Sequence, residues 1–238
     1  MSQSEALDLS AVRDLAVSLA RGAGELARRA KGEGWDPDPP IEVDVERRIV
    51  HAVAARFPGH AVLSEASGLH GPAEADVVWI VDPLVGSGNY AIDLELFGVS
   101  LAVQRGGRTV VGVAHDSVNG RTCSAVDGEG AWREGVALRV REPRPLTEAT
   151  VSWLGGHVPV RDLVEGRTGR MLLTGAPTAD WALLVSGGTD AVVASRASAW
   201  DLGAGLLLAV EAGAAVQWQD DLVVAGVPET VEHLVSLL

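Results

Sequence analysis

Three apolar runs, GVSLAVQ (Gly98–Gln104), TVVGVAH (Thr109–His115) and RTCSAVD (Arg121–Asp127), follow one another with only a Gly-Gly and an Asn-Gly link between them. Links that short close hairpins, whereas parallel strands need a crossover of roughly a dozen residues or more. The stretch is therefore committed to a meander of adjacent antiparallel strands. Ahead of it, residues 5–30 place Leu7, Val12, Leu15, Leu19 and Leu26 at helical spacing, and KGEGWDPDPP (Lys31–Pro40) breaks that helix. A second helix is expected after Asp44, with Val45, Ile49 and Val53 on one stripe and an end before Pro58-Gly59. Two short runs, AVLSE (Ala61–Glu65) and VVWIVD (Val77–Asp82), read as strands that each end on an acid.

REPRPLTEA (Arg141–Ala149) marks a change of order. Beyond it come strands at Thr150–Leu154 and Met171–Leu173, a helix at Thr178–Val185 and a strand at Ala191–Ala194. A helix at Asp201–Glu211, strands near Val216 and Val223 and a final helix from Pro228 complete an α/β alternation, which favours a substantially parallel sheet. The expectation is an N-terminal α+β subdomain over residues 1–141, a C-terminal α/β subdomain with a mixed sheet over 142–238, and a site in the cleft between them. With 238 residues, 47% apolar and 21% charged, the chain has material for such a core and no case for disorder.

A formal charge of −13 argues against nucleic-acid duplexes and anionic membranes as partners, since both need clustered Lys and Arg. It leaves room for an anionic small ligand if metal ions or backbone amides supply local positive charge. The lone Cys123 provides neither a disulfide framework nor a zinc site. The first residues do not read as a signal peptide, and no apolar stretch reaches the ~18 residues of a membrane span. A soluble, cytoplasmic protein is expected.

The strand-end acids carry the first chemical signal. If the two strands are neighbours, Glu65 and Asp82 converge at the rim of a sheet; either acid by itself reads more plainly as a solvated turn residue. Directly after Asp82-Pro83 stand Gly86-Ser87-Gly88-Asn89, whose glycines let successive N–H groups face one anion, although such turns are common. In AWDLGAGLLLAVEAGAAV, Asp201 reads as a helix N-cap, or as a carboxylate aimed at a cation between the two halves. The histidines show no metal-site spacing and His115 reads as structural. The tryptophans are dispersed and read mainly as core, with Trp35 a remote candidate for ligand contact.

LSEAS, DPLVGSGN and WDLGAG, in this order and spacing, resemble the inositol monophosphatase family of magnesium-dependent, lithium-sensitive phosphatases. That family is marked by a Glu-Glu pair after a strand, by D-P-[IL]-D-G-[TS] and by W-D-x-A-x-G. PIEVDVERRI, AVDGEGAW and VEAGA extend the similarity nearly end to end. The resemblance implies a layered αβαβα sandwich of the sugar-phosphatase type, often dimeric. It implies that Glu65, Asp82 and the Leu84 carbonyl hold a first Mg2+, and that Asp201 reaches a second ion bridged by Asp82. Gly86, Ser87 and Gly88 would form the phosphate cradle, with Asp201 beside it, and Ser87 and Asp44 would order the attacking water. The implied reaction is direct attack of a metal-activated water on a small phosphate monoester, with two ions about 3.5–4 Å apart.

Four positions depart from the family pattern. Val85 stands where the family has a second aspartate, a ligand of the second metal. Ala66 replaces the second member of the Glu-Glu pair, Ile41 replaces a threonine that assists Asp44, and Ala194 replaces a glutamate that contacts a substrate hydroxyl. Asp93 and Glu95 lie too far along the chain to substitute for Val85. The sequence thus implies an intact first metal site, a weakened second one, and a magnesium-hungry phosphatase acting on an inositol-, sugar- or nucleoside-phosphate, as a homodimer. The alternative is a degenerate member that binds a phosphorylated ligand or partner without efficient turnover.

Overall fold

The computed structural model describes residues 7–32, 40–155 and 158–238, so most of the Lys31–Pro40 break, and Trp35 with it, lies outside the described residues. Helix α1 (Leu9–Gly32) buries Val12, Ala16, Ala20, Ala23, Ala27 and Ala30, while Leu15, Leu19 and Leu26 only flank the contact. Small residues at i, i+3/i+4 spacing let the helix lie close on the sheet. Helix α2 (Ile41–Arg56) starts earlier than the sequence reading placed it. Pro40, at φ −52°, presets the entry, and Glu42 and Asp44 occupy the first turn, where the helix dipole favours acids.

The first sheet contains β1 (Ala61–Ser64), β2 (Gly68–His70), β3 (Val77–Val85), β4 (Gly98–Arg105), β5 (Arg108–Asp116), β6 (Arg121–Val126), β7 (Gly130–Arg133) and β8 (Val136–Ala137), with the short α3 (Ser87–Ala91) after β3. Its order is β2-β1-β3-β4-β5-β6-β7-β8. The meander is as expected, and β1 lies parallel to β3. The second part adds β9 (Thr150–Gly155), α4 (Val158–Glu165), β10 (Arg170–Leu172), α5 (Pro177–Val185), β11 (Ala191–Ser195), α6 (Ala199–Glu211), β12 (Ala215–Gln219), β13 (Leu222–Gly226) and α7 (Pro228–Val235). Its sheet, β10-β9-β11-β13-β12, is mixed: β9 is parallel to β10 and β11, and the other pairings are antiparallel.

Alternation along the strands builds the layers. Val99, Leu101 and Val103 face α1 and α2, while Ala102, on the opposite face of β4, meets Ala204 of α6. In β11, Val192 and Ala194 face α5 and α6 with Trp181, Leu184 and Leu208, whereas Ala191 and Val193 face Val164 of α4 and Val231 and Leu234 of α7. The result is an αβαβα sandwich. The small residues after Asp201 have a packing reason: a Cβ on Gly205 would stand 2.3 Å from the Trp181 ring, and one on Gly112 of β5 would stand 2.8 Å from the Ala204 carbonyl. Helix α6 is thereby seated directly on both neighbours, and this seat fixes where its first turn points.

Candidate active site

Parallel pairing of β1 with β3 brings the two strand-end acids side by side. The Glu65 N–H donates to the Val81 carbonyl (3.1 Å), one residue short of Asp82. Beyond Asp82 the register of β3 against β4 slips from Asp82↔Ser100 to Val85↔Gly98, a bulge at Pro83-Leu84. Proline has no N–H to lose there, and the bulge re-aims the strand end. The Leu84 N–H turns back to donate to Asp82 Oδ1 (3.0 Å). Asp82 is only 7% exposed, whereas Glu65 stands at the rim, open to solvent on one side.

A cleft of about 240 Å³ opens here, lined by Glu42, Glu65, Ala66, Asp82, Pro83, Leu84 and Ser87. Three carboxylates line it and, among the described residues, no Lys, Arg or His. Burial first, and then the neighbouring Glu65 and Asp201 charges, push the Asp82 carboxyl up to about 8 against the opposing Leu84 amide. Glu65 is also raised, first by partial burial, then by Asp201 and Glu42. Like charges crowded in a drying cleft are stable only when a proton or a cation sits between them, and all-oxygen donors suit magnesium or calcium. The residues therefore fit one divalent ion held by Glu65, Asp82 and the Leu84 carbonyl. Among the described residues, no group of three or more Asp, Glu, His or Cys side chains could hold a metal ion by itself.

The position that would complete a second site is closed. Val85 is 2% exposed and paired with Gly98, so it offers no donor atom and no room for one from elsewhere. Asp93 does not substitute: it is held by Lys31 Nζ (2.7 Å), its side chain is exposed, and its φ of 60° turns it off the end of α3. Glu95 is exposed as well.

Asp201, at the start of α6, is close enough for its charge to raise both Glu65 and Asp82, but it does not line the cleft. It is not the N-cap that the sequence pattern offered. Ser198 is the cap, and Asp201 is the third helical residue of a capping box. Its Oδ2 accepts from the Ser198 N–H (2.9 Å) and the Ser198 hydroxyl (2.7 Å), and its main-chain carbonyl accepts from Trp181 Nε1 (2.7 Å).

Of the cradle residues, Ser87 lines the cleft and is exposed. Gly86 is required: at φ +79° it is left-handed, and a Cβ there would lie 3.0 Å from the Leu96 carbonyl and 3.1 Å from Ala176 Cβ. Gly88 has open space where a side chain would stand and does not line the cleft. Asp44 also stays outside it, tied to Arg47 (3.0 Å), while Ile41 is buried in the core. The acid that α2 presents to the cleft is Glu42. Residues two apart on a helix point about 200° apart, so only one of the two acids can face inward. The acids one residue after Pro40-Ile41 carried the signal for Glu42, but it required the helix start to be placed one turn earlier. His115 is buried and bonded to Thr122 (3.0 Å), and Trp200 packs on Ile80 and Ala102.

Residues 8–221 match the inositol monophosphatase family. The chain belongs to that family. The Nus factor SuhB of Pseudomonas aeruginosa is 33% identical over 229 residues, spanning 85% of this chain and 83% of that protein. The inositol-1-monophosphatase of Mycobacterium leprae is 30% identical over 242 residues, spanning 91% and 82%. The solved structure of Mycobacterium tuberculosis SuhB aligns with a TM-score of 0.84 at 28% identity over 96% of both chains. Among the described residues no helix is long and apolar enough to cross a membrane.

Proposed function

We propose that this member of the inositol monophosphatase family is a magnesium-dependent phosphatase of a small phosphate monoester, working in the cleft that residues 1–141 line through Glu42, Glu65, Asp82 and Ser87, with Asp201 of residues 142–238 close enough to act on it electrostatically. The observation that carries the reading is the Asp82–Glu65 pair, brought together by parallel strands with no basic side chain among the described residues lining the cleft. Magnesium held by Glu65, Asp82 and the Leu84 carbonyl would neutralise those acids and the phosphate and make water a better nucleophile. The chain's own residues do the placement. The left-handed turn at Gly86 would set the Gly86 and Ser87 amides toward phosphate oxygens, with the Ser87 hydroxyl beside them. Glu42, not Asp44, is the α2 carboxylate placed to take a proton from a water in the cleft. Asp201 contributes fixed negative charge from the second half and orients the α6 end. The cleft volume suits a phosphate with a small polyol or sugar attached.

A second reading, ligand binding without efficient turnover, is favoured by Val85, an apolar and closed position where the family has a metal ligand. The deciding experiment measures phosphate release from inositol, sugar and nucleoside monophosphates across a wide magnesium range, with Asp82→Asn as control. Release that rises with magnesium and disappears in the variant supports the phosphatase. Phosphate binding without release from any substrate supports the second reading and overturns the first.

A further inference from the structure

We infer that Asp180 and Thr174, in the second half of the molecule, are positioning residues for the phosphate cradle, acting on it through Asn89. The inference rests on the proposed function only in taking the Gly86–Ser87 turn to receive phosphate.

Asp180 lies in α5 with no exposed surface and, among the described residues, no ion pair. A carboxylate isolated in that way is costly, and burial pushes it up to about 7 against the hydrogen bond from Thr174. Its Oδ1 has no hydrogen-bond partner within normal distance, with the equally buried and unpartnered Ser152 hydroxyl as its neighbour. Its Oδ2 accepts from the Thr174 hydroxyl (2.5 Å), whose oxygen also receives the Ala176 N–H (3.0 Å). Asp180 therefore fixes the loop Thr174-Gly175-Ala176 from below.

The upper side of that loop meets the cradle. The Thr174 carbonyl accepts from Asn89 Nδ2 (2.8 Å), and the same amide donates to the Leu96 carbonyl (2.9 Å). A Cβ on Gly175 would stand 3.0 Å from Asn89 Oδ1, and a Cβ on Gly86 would stand 3.2 Å from the Gly175 carbonyl. The two loops are thus in backbone contact across the halves. On the other side, the cradle is held by Lys31, whose ammonium donates to the Tyr90 carbonyl (2.6 Å), and by the Tyr90 hydroxyl on the Ala27 carbonyl (3.1 Å). Asn89 is the single side chain among the described residues that hydrogen-bonds the cradle helix to the second half. Movement of the Thr174 loop would therefore be transmitted to the Gly86 and Ser87 amides.

The test is hydrogen–deuterium exchange of the segment 86–92 in the full chain, together with steady-state kinetics. Thr174→Val and Asn89→Ala should speed exchange of that segment about tenfold or more while leaving the β4–β5 hairpin unchanged. Thr174→Ser, which keeps the hydroxyl, should stay within about twofold of wild type. KM for a monoester should rise about 5–20-fold in the first two variants with kcat held within about threefold, the mark of lost positioning for binding. Unchanged exchange at 86–92 in Asn89→Ala, or in a folded Thr174→Val of lowered stability, would overturn the inference. If wild type releases no phosphate from any substrate, the phosphatase reading fails, and the exchange experiment still decides the linkage. If Thr174→Val does not fold, Asn89→Ala, a partly exposed position, decides alone.

Discussion

Asp82 and Asp201 act on one cleft from opposite halves, and the chain treats them differently. Asp82 is nearly buried, accepts one hydrogen bond from its own turn, and is crowded by Glu65 with no cationic side chain beside it among the described residues. Asp201 is half-buried and already occupied, since one of its oxygens closes the capping box with both the N–H and the hydroxyl of Ser198. An acid held against its preference implies a ligand that relieves it. An acid with a structural partner contributes its charge more cheaply but donates to a metal less freely. On the proposed function, the N-terminal rim is where a divalent ion would be held, and the second half would supply negative charge beside it.

The largest effect expected from this difference is on Asp82. Asp82→Asn should reduce magnesium-dependent phosphate release about 100-fold or more, while raising the stability of the metal-free protein by about 1–3 kcal/mol. At this chain length that is a Tm increase of several degrees by calorimetry, and a lower Tm would break the comparison. Val85→Asp comes next. It should lower the magnesium concentration for half-maximal activity about tenfold. The same change should cost the metal-free protein about 1–3 kcal/mol, because the new carboxylate enters a closed position. A variant with no activity at any magnesium level would favour binding without turnover.

A third acid separates burial from crowding by like charge. Asp180 is raised to about 7 by burial, with no charged neighbour involved. Its unfolded value lies near 3.9, so between about pH 4 and 7 the folded state keeps a proton that the unfolded state has lost. Stability from this group is therefore greatest at low pH, falls as pH rises through that window, and is flat above it. Asp180→Asn should make the decline shallower by up to ~1 kcal/mol per pH unit in urea titrations, with or without magnesium. A slope that magnesium abolishes would place its origin in the cleft instead. The smallest effects belong to Asp201. Asp201→Ala should lose about 1 kcal/mol through the broken capping box, and Asp201→Asn should lose less than half of that. Both should raise the magnesium requirement only about two- to fivefold.

Much of this was legible in the chain. Short Gly-Gly and Asn-Gly links dictated the meander, and two strands ending on acids anticipated the Glu65–Asp82 pair. Asp201 was found for its place but not its partner, because a capping box is written by Ser198 three residues earlier and only its hydrogen bonds show which residue caps. Glu42 was missed for a related reason. Periodicity locates a helix face but not its first turn, and moving the α2 start from Asp44 to Ile41 exchanges the inward acid. Helix α4 has an apolar stripe, but it spans only eight residues with Pro159 in its first turn, and the contact of Asn89 with the Thr174 loop carries no periodic signal because it joins residues 85 positions apart.

Calorimetric titration of the metal-free protein with magnesium tests the central claim most directly, using wild type and Asp82→Asn side by side. The account predicts one ion bound per chain without phosphate, and no binding heat in the variant. Equal binding by both proteins, or none by wild type with phosphate present, would contradict it.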